Sequence, residues 1–428
     1  MSFIDGLVAM LGAMDGDRIV VHEERCISVR NRNAGCFRCA DACTTGAIAC
    51  RGNELAVEPD RCIGCGTCAT ACPTSAIEVR EPSDEELTAE VKRSIVASKG
   101  HPVVVCESAL RAARMAEGRG GRAAGMVGNR SCRAVEPHAL PDVAQIVEVP
   151  CLGRIDESLL AGIAAYRAFD VTLVCGACET CAHKPGKAMA LSVVQSARNL
   201  LGAFGSNMPI EVTEALPAHV LLDDAGGTAY SHDAASPGVS RRDFLRAAKD
   251  GSARAASAAV AQEMGARLDG GDAVVPAAYR KVGPDGTLTH FVPSRRVRLY
   301  NYLKHVGEPS AQAVDSRIIG AVSIDAERCS SCRMCAVFCP TGAIRKLDGG
   351  DTFGIIHRPS ACVQCRLCES ICPKDAIAVK SLVPIKQFLG REAVCLAMRR
   401  PSWEPNRPSS AYDRVHSLLG DNLEMCMF

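Results

Sequence analysis

Aromatic side chains are scarce in this 428-residue chain, at 4% with a single Trp. So few rings leave little to stack against exposed bases. A formal net charge of +1 supplies no phosphate-attracting field, so no nucleic-acid partner is expected. No apolar run reaches the roughly 18 residues that a transmembrane helix needs. The first stretch, "MSFIDGLVAMLGAMDGD", has no basic residue ahead of its apolar part and is interrupted by Asp5, which makes a poor export signal. Phosphate loops, paired carboxylates and Ser–His–Asp sets are missing too. "GRGGRAAG" lacks the GxGxxG spacing and follows no strand. "SRRDFL" has the twin-arginine wording, but it lies at residue 240 and is followed by Lys249, Asp250 and Arg254, so it reads as a basic helix start capped by Ser240.

Cysteine is what the chain has in excess, with 25 residues. A short secreted chain with that content would be a disulfide scaffold; this chain is long, carries no evident signal, and has clustered thiols. Clustered thiols in a reducing compartment point to metal, and a cytoplasmic protein is expected.

Near the carboxyl end, "CSSCRMCAVFCPTGAI" places Cys329, Cys332, Cys335 and Cys339 at C-x2-C-x2-C-x3-C-P, and "CVQCRLCESICPKDAI" repeats the spacing with Cys362, Cys365, Cys368 and Cys372. Short spacings let three thiolates of one tight loop take three corners of a cube, while the fourth starts a short helix pointing away. Pro340 and Pro373 suit a first helical position, where a missing N–H costs nothing. The pattern resembles the bacterial two-cluster ferredoxin. That resemblance implies one [4Fe–4S] cluster on Cys329, Cys332, Cys335 and Cys372, and another on Cys362, Cys365, Cys368 and Cys339. A pair of structural zinc sites is the alternative, but it would not require the repeated Cys-Pro.

The amino end repeats the plan. "CIGCGTCATACPTSAI" carries Cys62, Cys65, Cys68 and Cys72 in the full pattern. Its partner, "CISVRNRNAGCFRCADACTTGAI", carries Cys26, Cys36, Cys39 and Cys43, with nine residues between the first two cysteines and Thr44 where Pro is usual. The resemblance implies Cys26, Cys36, Cys39 and Cys72 around one cluster and Cys62, Cys65, Cys68 and Cys43 around the other. A [3Fe–4S] cluster is the alternative at Cys26, because the insertion weakens its match. The basic tip of that insertion, Arg30 and Arg32, reads as a solvated turn in preference to a docking loop. Each "GAI" or "SAI" after a motif is expected to open a short strand.

Between about 100 and 224, strands and helices alternate. "HPVVVC", "AQIVEVPC" and "VTLVC" are strands, "DESLLAGIAAYRAF" and "KAMALSVVQSARNLLGAF" are helices, and "IEVTEAL" and "AHVLLDD" are candidate edge strands. Leu159, Leu160, Ile163 and Phe169 are expected on one helical face. Alternation implies a parallel sheet with right-handed crossovers. Cys106, Cys151 and Cys175 then meet at the carboxyl edge, where such sheets build their sites, joined by Cys178 and Cys181. Three buried core cysteines are the alternative. "VEVPCLGRIDESLL" and "FDVTLVCGACETCAHK" resemble the delta-subunit family of methyl-viologen-reducing hydrogenases. That family relays electrons from a hydrogenase to heterodisulfide reductase, and the resemblance implies a [2Fe–2S] centre here. Cys106, Cys151, Cys175 and Cys181 are the expected ligands, with Cys178 in reserve. His183 is expected as an exposed loop residue, Cys132 as a plain thiol, and Cys50, Cys395 and Cys426 as core or tail thiols.

The expected fold class is α+β ferredoxin-like dicluster domains flanking an α/β domain with a parallel sheet. Expected boundaries are 1–82, a linker helix at 83–99, the α/β domain at 100–224, a linker and helical region at 225–320, a second dicluster domain at 321–382, and a helical tail at 383–428. "SRRVRLYNYLKHVG" reads as a basic helix with Leu299, Tyr302 and Leu303 inward. Phe3, Ile4, Leu7, Val8 and Leu11 form an apolar stripe at the amino end. The expected function is single-electron relay through four [4Fe–4S] clusters, near −400 mV for ferredoxin types, with no catalytic residues of the chain's own. Partners would be subunits of hydrogenase, formate dehydrogenase or heterodisulfide-reductase type. The alternative is an oxidoreductase whose middle cysteines catalyse a thiol/disulfide or similar two-electron reduction.

Overall fold

A computed structural model describes residues 18–51, 54–123, 146–181, 183–217, 286–349, 352–390 and 393–400. All of them belong to one compact unit. The apolar stripe from Phe3 to Leu11, "AHVLLDD", Cys132, the helix start at Ser240 and Cys426 lie outside the described residues.

At the amino end, β1 (Ile19–Val21) pairs antiparallel with β4 (Ile77–Val79), and the hairpin of β2 (Ile48–Arg51) and β3 (Glu54–Val57) lies between them in sequence. Three short helices punctuate this region: α1 (Ile27–Arg30), α2 (Arg38–Asp41) and α3 (Thr67–Ala71). Next comes α4 (Asp84–Ala97), whose start is set by a capping box in which Ser83 and Glu86 satisfy each other's backbone N–H.

Four parallel strands follow: β5 (Val103–Cys106), β6 (Ile146–Val149), β7 (Val171–Val174) and β8 (Ile210–Thr213), in the order β6-β5-β7-β8. The crossovers are α5 (Glu107–Ala123), α6 (Glu157–Ala165) and α7 (Pro185–Ala203). β5 is apolar throughout and buried, as a strand covered on both faces must be. "IEVTEAL" supplies β8 at the sheet edge. The order reverses at β5, so the carboxyl ends of β5, β6 and β7 flank a switch point, the position where such sheets open a crevice. Leu160 and Ile163 of α6 are fully buried. Phe169 is not with them: α6 ends at Ala165, and Phe169 lies beyond it, 68% exposed, with its ring beside His101.

α8 (Ser294–Val306) packs across α6 and sends Leu299 and Leu303 into the same core. Its basic residues are not all solvated; Arg296 is 7% exposed. β9 (Ala313–Asp315) pairs with β14 (Leu382–Pro384). Toward the carboxyl end the amino-terminal plan returns, with β10 (Ala321–Ile324) against β13 (Ile377–Lys380) enclosing the hairpin of β11 (Ile344–Gly349) and β12 (Thr352–His357). Here α9 (Met334–Phe338) and α10 (Leu367–Ser370) take the places of α2 and α3. As expected from "GAI" and "SAI", Ile48, Ile77 and Ile344 each open a strand. After the short helix α11 (Ile385–Leu389), in a stretch expected to be helical, β15 (Val394–Ala397) pairs with β12.

Candidate metal centres

The four cysteine motifs share a backbone signature. The residue before the second cysteine is left-handed in every one: Gly35, Gly64, Ser331 and Gln364. So is the residue three past the fourth cysteine: Gly46, Ser75, Gly342 and Asp375. Gly66, Arg333 and Arg366, just after the second cysteine, repeat it in three motifs. Phe37 breaks the pattern with φ −122° in the motif that carries the insertion. Alternating right- and left-handed residues turn successive N–H groups inward and make a concave anion cradle. Ser331 N–H donates to Cys329 Sγ at 3.4 Å, Ala76 N–H to Cys72 Sγ at 3.3 Å, Ile344 N–H to Cys339 Sγ at 3.4 Å, and Ala376 N–H to Cys372 Sγ at 3.3 Å. Six of these left-handed positions hold side chains that disfavour the conformation: Ser75, Ser331, Arg333, Gln364, Arg366 and Asp375. Strain of that kind persists where a ligand clamp demands it.

The sulfurs gather across motifs. Cys39 lies within electrostatic reach of Cys26, Cys36 and Cys72, and Cys68 within reach of Cys62, Cys65 and Cys43. Cys368 has Cys362, Cys365 and Cys339 around it. Cys335 has Cys329, Cys332 and Cys339 of its own motif as neighbours, while Cys372 of the other motif packs into the same apolar cluster. Among the described residues no three His, Cys, Asp or Glu close around a single ion's position. Burial pushes the Cys26 and Cys362 thiols up to about 11 and those of Cys68 and Cys335 up to about 12. Such thiols stay protonated until iron displaces the proton. The inward N–H groups, the strained turns and the grouped sulfurs fit four-thiolate cages holding a net negative cluster.

Cys50, expected as a core or tail thiol, packs on the amino-terminal core, stands beside Cys36 and is hydrogen-bonded to Cys39. It is a fifth sulfur at the Cys26 set. Nothing in its spacing announces this, because the approach comes from β2 folding back over the motif. Cys395 is exposed on β15.

In the middle region, Cys106, Cys151, Cys175, Cys178 and Cys181 line one cavity at the switch point, together with Ser108, His183 and Lys187. The space open to the centre of a water molecule is about 20 Å³, room for about one water and not for an organic substrate. Cys106 Sγ accepts N–H bonds from Ala109 at 3.4 Å and Gly176 at 3.2 Å, Cys151 Sγ one from Gly153 at 3.4 Å, and Cys181 Sγ one from His183 at 3.4 Å. Cys178 is hydrogen-bonded to Cys175 instead. His183 is half-buried against Pro150 O, not exposed as expected. Two glycines let this cavity approach the amino-terminal motifs. A Cβ on Gly186 would stand 2.1 Å from Cys151 Sγ, and one on Gly153 would stand 2.3 Å from Thr67 Oγ1. Cys151 consequently lies within electrostatic reach of Cys65.

Beside this junction, Asp84 at the start of α4 meets Arg154 at 2.6 Å, Arg295 at 2.9 Å and Arg298. Burial alone would raise the Asp84 carboxyl, but the guanidiniums of Arg295, Arg154 and Arg298 hold it far below the usual carboxylate range. Arg295 also pairs with Asp156 at 2.9 Å, and Arg298 with Glu85 at 3.0 Å.

The insertion in the first motif forms a second junction. Ile27, Ala34 and Leu367 form one buried cluster, with Cys36, Phe338, Cys365 and Ile371 packed against it. Arg30 is not the solvated tip expected from the sequence. It is half-buried and donates to Phe338 O at 3.3 Å, Thr289 O at 3.0 Å and Glu24 O at 3.0 Å, within electrostatic reach of Cys339 and Cys365.

Comparison with known families finds a 4Fe-4S binding domain over residues 55–78 and a 4Fe-4S dicluster domain over residues 328–376. The second span contains all eight carboxyl-terminal motif cysteines; the first holds Cys62, Cys65, Cys68 and Cys72 and leaves the inserted motif unmatched. Neither reaches the middle region. No curated protein matches the chain, and no solved structure does. Ferredoxin-type [4Fe–4S] domains make iron–sulfur electron transfer the general chemistry of this protein. Among the described residues, no helix is long and apolar enough to cross a membrane.

Proposed function

We propose that the chain is a multi-centre electron conduit in which two dicluster modules, on either side of the parallel-sheet region in sequence, form one continuous series with the middle cavity. The observation that carries this reading is the succession of neighbouring sulfur sets. Cys151 of the cavity approaches Cys65, and the Cys62 and Cys26 sets belong to one interleaved pair of motifs. Cys36 of the Cys26 set packs with Cys365 in one apolar cluster, and Cys339 adjoins Cys335 of the last set. The ligands would be those implied by the motifs: Cys26, Cys36, Cys39 and Cys72; Cys62, Cys65, Cys68 and Cys43; Cys362, Cys365, Cys368 and Cys339; Cys329, Cys332, Cys335 and Cys372. When bound, the clusters accept and release single electrons. The protein's part is to hold the thiolates, exclude water and supply N–H groups to sulfur.

The two ends of the series differ. Cys332 is exposed and the adjacent Met334 is 38% exposed, so a partner redox subunit docks at the Cys329 set. The other end is the middle cavity, where a [2Fe–2S] centre on Cys106, Cys151, Cys175 and Cys181 would connect to a hydrogenase, formate dehydrogenase or heterodisulfide-reductase type of subunit.

Anaerobic purification with iron and acid-labile sulfide analysis, followed by reductive titration under EPR, tests the reading. About sixteen irons are expected from four cubanes, or about eighteen with the two-iron centre. A colourless, zinc-loaded protein would overturn it. Steady turnover of disulfides with a reduced viologen and no partner would instead favour the enzymatic alternative.

A further inference from the structure

We propose that the set formed by Cys339, Cys362, Cys365 and Cys368 is the electron sink of the chain, reduced ahead of the other cubane sets because one buried and one half-buried guanidinium, neither with a carboxylate partner among the described residues, stand beside it. The inference rests on the conduit reading and adds an order of potentials to it.

Arg296 is the central observation. Its side chain is 7% exposed, yet among the described residues no carboxylate pairs with it. Its N–H groups donate to backbone carbonyls, Ile318 O at 3.1 Å, Pro359 O at 3.3 Å and Ser360 O at 2.9 Å, and the guanidinium stands 5.0 Å from the Phe388 ring centre. A buried cation without a counter-charge is costly, so an anion is called for nearby. Cys362 and Tyr300 are within its electrostatic reach, and of the two Cys362 is the one that a bound cluster would make anionic at neutral pH. Desolvation pulls the guanidinium down to about 10, which still leaves it charged at neutral pH. Arg30 repeats the arrangement from the other side. Its donors go to three carbonyls, no described carboxylate pairs with it, and it faces Cys339 and Cys365. Arg38, half-buried, adds its field at Cys365.

The other sets have less of this excess: Arg38 also acts on Cys36 of the Cys26 set, but there Asp41 opposes it. Arg295, which reaches Cys72, is paired with Asp84 and Asp156. Arg333, beside Cys332, is held by Asp348 at 2.6 Å. Arg18, near Cys62, is exposed, and water screens it. An electron arriving at any set would be taken up by the irons of the cluster held there and would add one negative charge to a centre that its thiolates already make anionic. Where an unscreened cation stands close in low dielectric, that added charge is stabilised most. The transfer balances as one electron gained by this set and one lost by the neighbouring Cys26 or Cys329 set. No bond changes and no proton is required, since the arginines already supply the compensating charge.

The test is an EPR-monitored reductive titration of the full, iron-loaded chain and of its Arg296→Gln, Arg296→Lys, Arg30→Gln and Arg333→Gln variants, with iron counts for each. In the unaltered chain one cubane signal should develop first, and Cys368→Ser should remove that signal. Arg296→Gln and Arg30→Gln should each move its midpoint to more negative potential with iron content kept, whereas Arg296→Lys and Arg333→Gln should leave it nearly in place. Should Arg296→Gln fail to fold, Arg30→Gln carries the test alone. A first-reduced signal that survives Cys368→Ser, or that ignores loss of either arginine at full iron content, overturns the sink. Absence of iron from the carboxyl-terminal sets of the unaltered chain would overturn the conduit reading itself.

Discussion

The amino-terminal and carboxyl-terminal halves of the cysteine repeat share one backbone turn and cover it differently. The residue between the second and third cysteines' flanking positions, just ahead of the third cysteine, shows this best. Thr67 is 1% exposed and pressed against Gly153; Leu367 is 1% exposed and packed on Ile27 and Ala34; Arg38 is half-buried near Cys365; Met334 is 38% exposed. One motif position therefore meets the sheet region, the inserted loop, a neighbouring sulfur set and solvent in turn. Cage geometry is a local property of the repeat, while the path between cages depends on what each repeat happens to touch.

Breaking the cages is the severest way to test that comparison. Cys339→Ser and Cys372→Ser should each remove about four of about sixteen irons, and the loss should fall on the motif that does not contain the substituted residue. Iron and sulfide analysis with EPR reads this directly, and loss confined to the substituted motif would refute the crossover. On the amino-terminal side, Asp84→Asn leaves Arg154, Arg295 and Arg298 without their shared carboxylate. Removing one partner of a buried ionic cluster should cost about 3–5 kcal/mol, measured as a shift in the anaerobic denaturation midpoint. Truncation at matched positions separates seam from solvent. Leu367→Ala should cost about 2–5 kcal/mol as a buried cavity, while the exposed Met334→Ala should stay within about 0.5 kcal/mol.

The mildest test uses pH. His357 on β12 is 1% exposed, its Nε2 has no partner among the described residues, and burial holds the imidazole down at about 4 from 6.5. Between those values the unfolded chain binds the proton and the folded chain does not. The contribution is therefore intact above pH 6.5 and lost as pH falls toward 4, by at most about 3 kcal/mol. Midpoints measured across that range should fall with acidification, and His357→Leu should flatten the dependence.

Much of the candidate site was legible in the residues. Contiguous spacing announced the four motifs, and strands ending in Cys106, Cys151 and Cys175 announced the cavity, because parallel strands bring their carboxyl ends to one edge by topology alone. Phe169 was misplaced because helical periodicity was carried past the point where α6 stops. Arg30 was misread because its partner comes from chain far away, Phe338 lying 308 residues along the sequence. Such contacts leave no periodic trace.

Sequence alone determined the turns of the four motifs. A turn that presents three thiolates needs only a dozen adjacent residues, and those residues carry their own left-handed positions and N–H donors. Tertiary structure decided the rest: which motif packs on which, that Cys151 of the cavity stands beside Cys65, and that Arg296 is buried with carbonyls in place of a carboxylate. Local geometry is fixed by short-range sterics, whereas the field at a metal centre sums charges from every segment folded around it, and that sum exists only once the chain has closed.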